Sequence, residues 1–346
     1  MEWKEALRQA KHILCLSHPR PDGDAVGSLL GIYHTLESAG KKVVPVLPDP
    51  VPEYLRFLPG WEHIRIAHTD AEAIQQAAQA ADLFFCVDFG RWDRIPDFLR
   101  NLIDPTRLIW VDHHADSEPL SQLGNFWNAQ AAATCEILYE QVLEPLYPVP
   151  LPARIALYTG LLTDTGGFRF RSVSPTTLQV AARLITPPFP LEAVHHHIFY
   201  RKKLHIVRLY SHILENYVIR IDELPVLLMY IPMSLLEQFG ARWEETEGFA
   251  NQLLTLEGVL LSIVLKEYPE SIRVSLRSVG DFPCHELAQQ FDKGGGHRNA
   301  AGATLYRSLE EALDFTQKLI REQYAETILE HYRRFLAGLE LYQLQE

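Results

Sequence analysis

Residues 12–28 read His12-Ile13-Leu14-Cys15-Leu16-Ser17-His18-Pro19-Arg20-Pro21-Asp22-Gly23-Asp24-Ala25-Val26-Gly27-Ser28. A brief apolar run passes into a polar elbow and then into a helical pattern that reaches residue 38. Similar apolar runs return at 42–47, 83–87 and 108–111, with helical patterns at 25–38, 71–80 and 92–101 between and after them. Strands alternating with helices predict a mostly parallel sheet covered by helices on both faces. Three of these four strands end in polar clusters: residues 18–24, Asp88, and Asp112-His113-His114. Ligands in an open α/β sheet bind beyond the carboxyl ends of the strands, so the polar residues fall where an active-site edge belongs.

Helical patterns follow at 129–142, 153–163, 176–184 and 191–211, with proline-rich interruptions at 145–152 and 186–190. Beyond residue 216 the character changes. Strand-like runs at 217–221, 226–231, 257–266 and 272–278, with short helices near 234–239 and 284–291, predict a smaller mixed α+β domain. Amphipathic helices at 308–321 and 326–339 close the chain. The expected organisation is a first domain over 1–190, a helical linker over 191–215, and a second domain with a helical tail over 216–346.

A chain of 346 residues, 47% apolar and 22% charged, is a folded globular class with room for two cores. A net charge of −12 argues against a protein that coats long duplex DNA through counterion release. It does not exclude an anionic substrate, because bound cations reverse the local sign. Residues 1–11 are charged and amphipathic, and the apolar stretch after them is too short for a leader or a membrane span. A soluble, cytoplasmic protein is expected, with no membrane partner. Cys15, Cys86, Cys135 and Cys284 show no metal-ligand spacing and are expected to be reduced packing residues.

His18, Asp22 and Asp24 supply an imidazole and two carboxylates within seven residues, and Gly23 lets the carboxylates aim in different directions. Asp24 could simply cap the helix that follows, with His18 a turn residue, so this cluster alone decides little. Asp88 ends a strongly apolar run, where a carboxylate is costly unless it pairs or binds a cation. Two consecutive imidazoles after Asp112 are hard to explain structurally, and Asp164 precedes Gly166-Gly167. Taken together, four aspartates and two or three histidines at one sheet edge are the donor set of a two-metal phosphoesterase. In the second half Arg273, Ser275 and Arg277 alternate with Val274 and Leu276, a one-sided row suited to phosphate. The run Gly294-Gly295-Gly296-His297-Arg298-Asn299-Ala300-Ala301-Gly302 reads as a loop whose free N–H groups cradle an anion. By contrast, His195-His196-His197 point to different faces of a helix and cannot chelate together.

These motifs, in this order over roughly residues 5–325, resemble the DHH phosphoesterase superfamily, in the branch with a DHH-associated C-terminal domain and nanoRNase/3′-phosphoadenosine 5′-phosphate (pAp) phosphatase activity. The match also covers Val111, residues 163–170 and Ser278. The resemblance implies two divalent ions, usually Mn²⁺, with Mg²⁺ or Co²⁺ as substitutes. His18, Asp22 and Asp88 would hold one, and Asp24, Asp88, His113 and Asp164 the other. His114 would meet the phosphate or the attacking water, with Asp112 orienting the histidines. Arg273, Ser275, Arg277, Gly295, Gly296 and His297 would hold the far end of the nucleotide across an interdomain cleft. Implied substrates are short single-stranded RNA or DNA oligonucleotides, pAp and linear dinucleotides, and a homodimer is compatible. A linear or cyclic dinucleotide phosphodiesterase is the nearest alternative. A RecJ-like single-strand exonuclease fits less well, because its basic stacking groove is at odds with the negative charge. A non-catalytic nucleotide-binding module is disfavoured by the complete donor set.

Overall fold

The strands β1 (His12–Leu16), β2 (Lys42–Leu47), β3 (Arg65–Ile66), β4 (Leu83–Val87), β5 (Leu108–Asp112) and β6 (Gly124–Trp127) form one wholly parallel sheet, ordered β3-β2-β1-β4-β5-β6. This is a computed structural model, and it describes residues 2–115, 117–296 and 298–340. Successive strand residues feed opposite faces. Cys15, Phe85 and Val111 join one apolar cluster, whereas Leu14, Phe84 and Trp110 join the other. Both faces are therefore buried, which is why these runs read as continuously apolar. Strand order reverses between β1 and β4, and a crevice at such a switch point is where open α/β sheets bind ligands.

β3 and β6 escaped the sequence reading for physical reasons. β3 is two residues long, and β6 is a half-exposed edge of sequence Gly-Asn-Phe-Trp. The helix expected over 92–101 is instead a 3-10 turn, Trp92–Arg94, and a short helix, Asp97–Arg100. Pro96 stands between them and has no N–H to continue a ladder. The helix expected from 129 starts at Thr134 and passes into a π-helical turn, Leu138–Leu143.

The Gly23–Ser38 helix runs against the Leu151–Asp164 helix along a glycine seam. A Cβ at Gly23 would meet the Thr163 side chain, one at Gly27 would lie 2.6 Å from the Ala156 carbonyl oxygen, and one at Gly31 would strike Leu157. Glycines four residues apart on one helix face permit this approach. The seam brings the first turn of one helix, with Asp24, to the last turn of the other, with Asp164.

The chain parts into two units between Arg201 and Lys202. Residues 191–215, expected as a linker, form two helices. Leu191–Phe199 gives Val194 to the first core, and Leu204–Asn216 gives Ile206, Leu209 and Ile213 to a core of the second unit. The second unit carries β7 (Val218–Arg220), β8 (Val226–Ile231), β9 (Leu261–Tyr268), β10 (Ser271–Ser278), β11 (Lys293–Gly296) and β12 (Ala300–Leu305), ordered β11-β12-β10-β9-β8-β7. Among the described residues of this second sheet, only the β8–β9 pair is parallel. Among the described residues no helix is long and apolar enough to cross a membrane.

The seam predicts opposite effects for one substitution. Gly27→Ala should destabilise by about 1–3 kcal/mol through overpacking against backbone atoms. Gly338→Ala, in a helix with open space around it, should gain up to about 1 kcal/mol from helix propensity. Denaturant unfolding of both variants checks the pair.

Candidate metal centre

β1 and β4 deliver His18 and Asp88 to the two sides of the switch point, and His18 Nε2 lies 3.2 Å from Asp88 Oδ2. The elbow before Asp22 is fixed by Arg20, which takes a left-handed backbone (φ +55°) and donates its N–H to Asp49. Asp22 accepts from the N–H groups of Asp24 and Ala25, capping the glycine-seamed helix. The cap is thus Asp22 and not Asp24, the residue expected to serve as one, and it uses only one Asp22 carboxylate oxygen.

Asp88 is 1% exposed and sits at φ +66°, a conformation aspartate tolerates better than most residues. Burial pushes its carboxyl well above the ordinary range, and the carboxylates of Asp24, Asp22, Asp164 and Asp112 push it further. Asp164 is raised for the same reasons, burial first and then Asp24 and Asp22. His113 is lowered by burial in spite of the neighbouring Asp24. Its Nε2 lies 3.3 Å from Asp164 Oδ2, 3.7 Å from Asp88 Oδ1 and 3.9 Å from Asp24 Oδ2.

Two donors of one small divalent ion, each at about 2.1 Å, stand at most about 4.2 Å apart, so these separations fit shared coordination. Three overlapping donor groups result: His18, Asp22 and Asp88; Asp24, His113 and Asp164; and Asp88, His113 and His114. All six residues expected as metal ligands are thus brought together, with Asp88 between the first group and His113. Crowded carboxylates that burial and mutual repulsion drive towards protonation are relieved when a divalent cation takes the proton's place.

Asp112 plays a different part. Burial alone would raise its carboxyl, but hydrogen bonds from His114 and Ser117 outweigh it and the net shift is downward. As an ionised acceptor 2.7 Å from His114 Nδ1, it fixes the proton on that nitrogen. It does not orient both histidines, since His113 Nδ1 instead approaches the Ala131 carbonyl at 3.4 Å.

Sequence reasoning missed Thr134. Its N–H donates to Asp24 Oδ2 at 2.6 Å, the Cys135 N–H donates to Asp24 Oδ1 at 2.9 Å, and the Thr134 hydroxyl donates to Asp88 Oδ1 at 3.0 Å. A helix start thus holds two carboxylates from other elements. The sole hint in the sequence was a threonine where Ala131-Ala132-Ala133 give way to helical periodicity.

In the second unit, β10 places Arg273, Ser275 and Arg277 on one face, as expected from their alternation. Arg273 donates to the Thr304 hydroxyl, and Arg277 donates to the carbonyls of Leu276 and Ala301. Lys266, buried and lowered by that burial, stands opposite Arg273 and was not anticipated. The glycine run requires correction. Gly294, Gly295 and Gly296 are not an open loop but belong to edge strand β11, paired with β12. Gly294 is needed there because a Cβ would lie 1.9 Å from the Ala288 carbonyl oxygen. Gly295 registers opposite Gly302, which itself pairs with Ser275, so the glycines extend the same face. His297 lies outside the described residues.

The declined features stay apart from this chemistry. His195 meets the Tyr158 hydroxyl, His197 stacks on Phe57 and His196 on Tyr200. All four cysteines are buried and unbridged.

Residues 12–160 match the DHH family, N-terminal domain, and residues 223–325 match the DHHA1 domain. The chain is 30% identical to the bifunctional oligoribonuclease and PAP phosphatase NrnA of Thermus thermophilus, over 90% of each chain. It is also 30% identical to the protein of the same name in Bacillus subtilis, over 87% of this chain and 91% of that one. The cyclic-di-AMP phosphodiesterase PdeA of Listeria monocytogenes is 24% identical, over 86% of this chain but 45% of its own. An exopolyphosphatase-related protein from Bacteroides fragilis superposes with a TM-score of 0.86 at 30% identity, covering 94% of this chain and 96% of that one. RecJ of Thermus thermophilus, in complex with Mn²⁺, shares the fold at a TM-score of 0.55 and 16% identity, over 94% of this chain and 53% of that one.

The repulsion at Asp88 has a signed consequence. A carboxyl raised in the folded state makes the metal-free protein lose stability as pH climbs from the ordinary carboxylate range through the raised value. Asp88→Asn, which keeps the shape and the tolerance for positive φ, should leave the metal-free protein at least as stable as wild type at pH 7.5. A hundredfold excess of Mn²⁺ over its Kd should raise the wild-type Tm by roughly 5–10 °C, from about 2.7 kcal/mol of binding linkage. The variant should lose most of that rise, as a thermal-shift comparison would record.

Proposed function

Because this chain belongs to the DHH phosphoesterase family and is a hydrolase of phosphate esters, we propose that it is a divalent-metal enzyme acting on short oligoribonucleotides and pAp. Oligonucleotides would yield 5′-mononucleotides, and pAp would yield AMP and inorganic phosphate. The observation that carries this reading is the pair of donor groups, His18/Asp22/Asp88 and Asp24/His113/Asp164, joined at Asp88. The names of the Thermus and Bacillus relatives support the substrate class. Bound divalent ions, with Mn²⁺ the first candidate, would supply charge neutralisation at the phosphoryl oxygens and a nucleophilic water at neutral pH.

The remaining steps belong to the chain's own residues. Asp88, Asp24 and Asp164 fix where the phosphoryl group can sit, and Thr134 holds the first two rigid so that little reorganisation is needed at reaction. His114 has its Nδ1 proton committed to Asp112, and its Nε2 is the atom assigned to contact a phosphate oxygen or to take a proton from the attacking water. On the second unit, Arg273, Arg277, Ser275 and Lys266 present a basic face for the terminal phosphate and ribose. The paired glycines beside them let that group approach the backbone. His297, which lies outside the described residues, is proposed as a further contact.

A second reading, hydrolysis of linear or cyclic dinucleotides, draws on the similarity to the Listeria phosphodiesterase. One panel with Mn²⁺ separates the two: pAp, a diribonucleotide, a pentamer, a long single strand, pyrophosphate and cyclic di-AMP. The proposal predicts fastest turnover on pAp and the short RNAs, abolished by chelation and restored by Mn²⁺. Preference for the long strand, or activity indifferent to chelation, would overturn it. Arg277→Ala should raise KM for the diribonucleotide by about tenfold or more while metal content stays at the wild-type level. Loss of metal in that variant would contradict the assignment of roles.

A further inference from the structure

The segment directly after Asp164 is the candidate that the metal chemistry leaves unexplained. Gly166, Gly167 and Phe168 stand consecutively in left-handed backbone, at φ +57°, +75° and +63°. For a phenylalanine that conformation is strained. The Phe168 ring turns inward and packs on the first core beside Tyr158. The bend then lays the Phe170 ring over Gly166 so closely that a Cβ there would fall 2.4–2.8 Å from ring carbons. Phe199 covers Gly167 in the same manner, 3.2 Å from where its Cβ would be. Both rings remain open to water, Phe170 at 48% and Phe199 at 39%. Arg169, whose Nε donates to the Gly166 carbonyl, lies between Phe168 and Phe170 in the chain. The strained backbone at Phe168 serves the core, but the two exposed rings held over the glycine pair, two residues beyond a carboxylate of the candidate centre, do not.

We propose that Phe170, with Phe199 over the adjoining glycine, is a nucleobase-stacking subsite of the first unit, which holds the base of the nucleotide whose phosphate lies at the Asp164 end of the cluster. This rests on the reading of the chain as a nucleotide phosphoesterase and deepens it. A ring face accepts any base, so the subsite would give affinity for a nucleotide over a bare sugar phosphate without choosing among bases. Glycine is required at 166 because any side chain would displace the ring. The two arginines that flank Phe170 in the sequence, Arg169 and Arg171, place positive charge in the same segment, which favours a polyanionic substrate.

The test is calorimetric, with AMP and ribose 5-phosphate as probes in the presence of Mn²⁺, since the two share a phosphate and a ribose and differ by the base. Wild type should bind AMP at least tenfold more tightly than ribose 5-phosphate. Phe170→Ala should lose most of that preference with the ribose 5-phosphate affinity unchanged, and Phe170→Trp should retain it. A base preference that survives Phe170→Ala, or none in the wild type, would overturn the proposal. Diribonucleotide hydrolysis measured on the same preparations keeps the two ideas separate. No hydrolysis with a Phe170-dependent base preference would retire the proposed function and keep the subsite, and hydrolysis with a Phe170-independent preference would do the reverse.

Discussion

Asp88 is buried on a left-handed residue at the end of a central strand, facing the carboxylates of Asp22, Asp24 and Asp164. Such an arrangement is unfavourable in isolation, because each carboxylate raises the cost of ionising the next. Every neighbouring element of the first unit holds this crowding in place. The strand order turns at β1 and β4 and sets His18 against Asp88. The glycine seam draws Asp24 and Asp164 together from opposite helix ends. The helix start at Thr134 caps Asp24 with two N–H groups and Asp88 with a hydroxyl. A fold that keeps four carboxylates together against their repulsion has invested stability in something that binds there.

The histidines divide along the same line. His113 faces the carboxylates of three elements, and its burial lowers its affinity for a proton, which suits a neutral imidazole donor to a cation. His114 is tied to Asp112, a buried carboxylate that hydrogen bonds from His114 and Ser117 hold below its ordinary range. Two adjacent residues of one type thus acquire different tasks from their partners alone. Two adjacent imidazoles in a loop suggested such a division in the sequence, and here the two rings meet different partners.

Legibility in the sequence followed burial. β1, β2, β4 and β5 are apolar on both faces, and their runs were plain, as was the row of polar residues at their ends. The edge strands β3 and β6 were not, because a strand with one exposed face and few residues leaves no run to see. Lys266 lay unnoticed inside an apolar strand, since its place beside Arg273 depends on which strands pair. Thr134 was invisible for a related reason: its partners are 46 and 110 residues away. The glycine run misled in the other direction. Glycine suggested an open loop, but here its small size lets an edge strand pass close to Ala288. Residue types announced the chemistry of the centre, whereas the contacts that hold it rigid came from tertiary pairing.

The central claim is that this cluster is a two-ion centre joined through Asp88. The most direct measurement is a crystal structure of the protein grown with Mn²⁺, with anomalous scattering recorded at the manganese edge. The account predicts two peaks, one among His18, Asp22 and Asp88 and one among Asp24, His113 and Asp164, with an Asp88 carboxylate oxygen in reach of both. Peaks elsewhere, or a single ion with Asp88 turned away from it, would contradict the account.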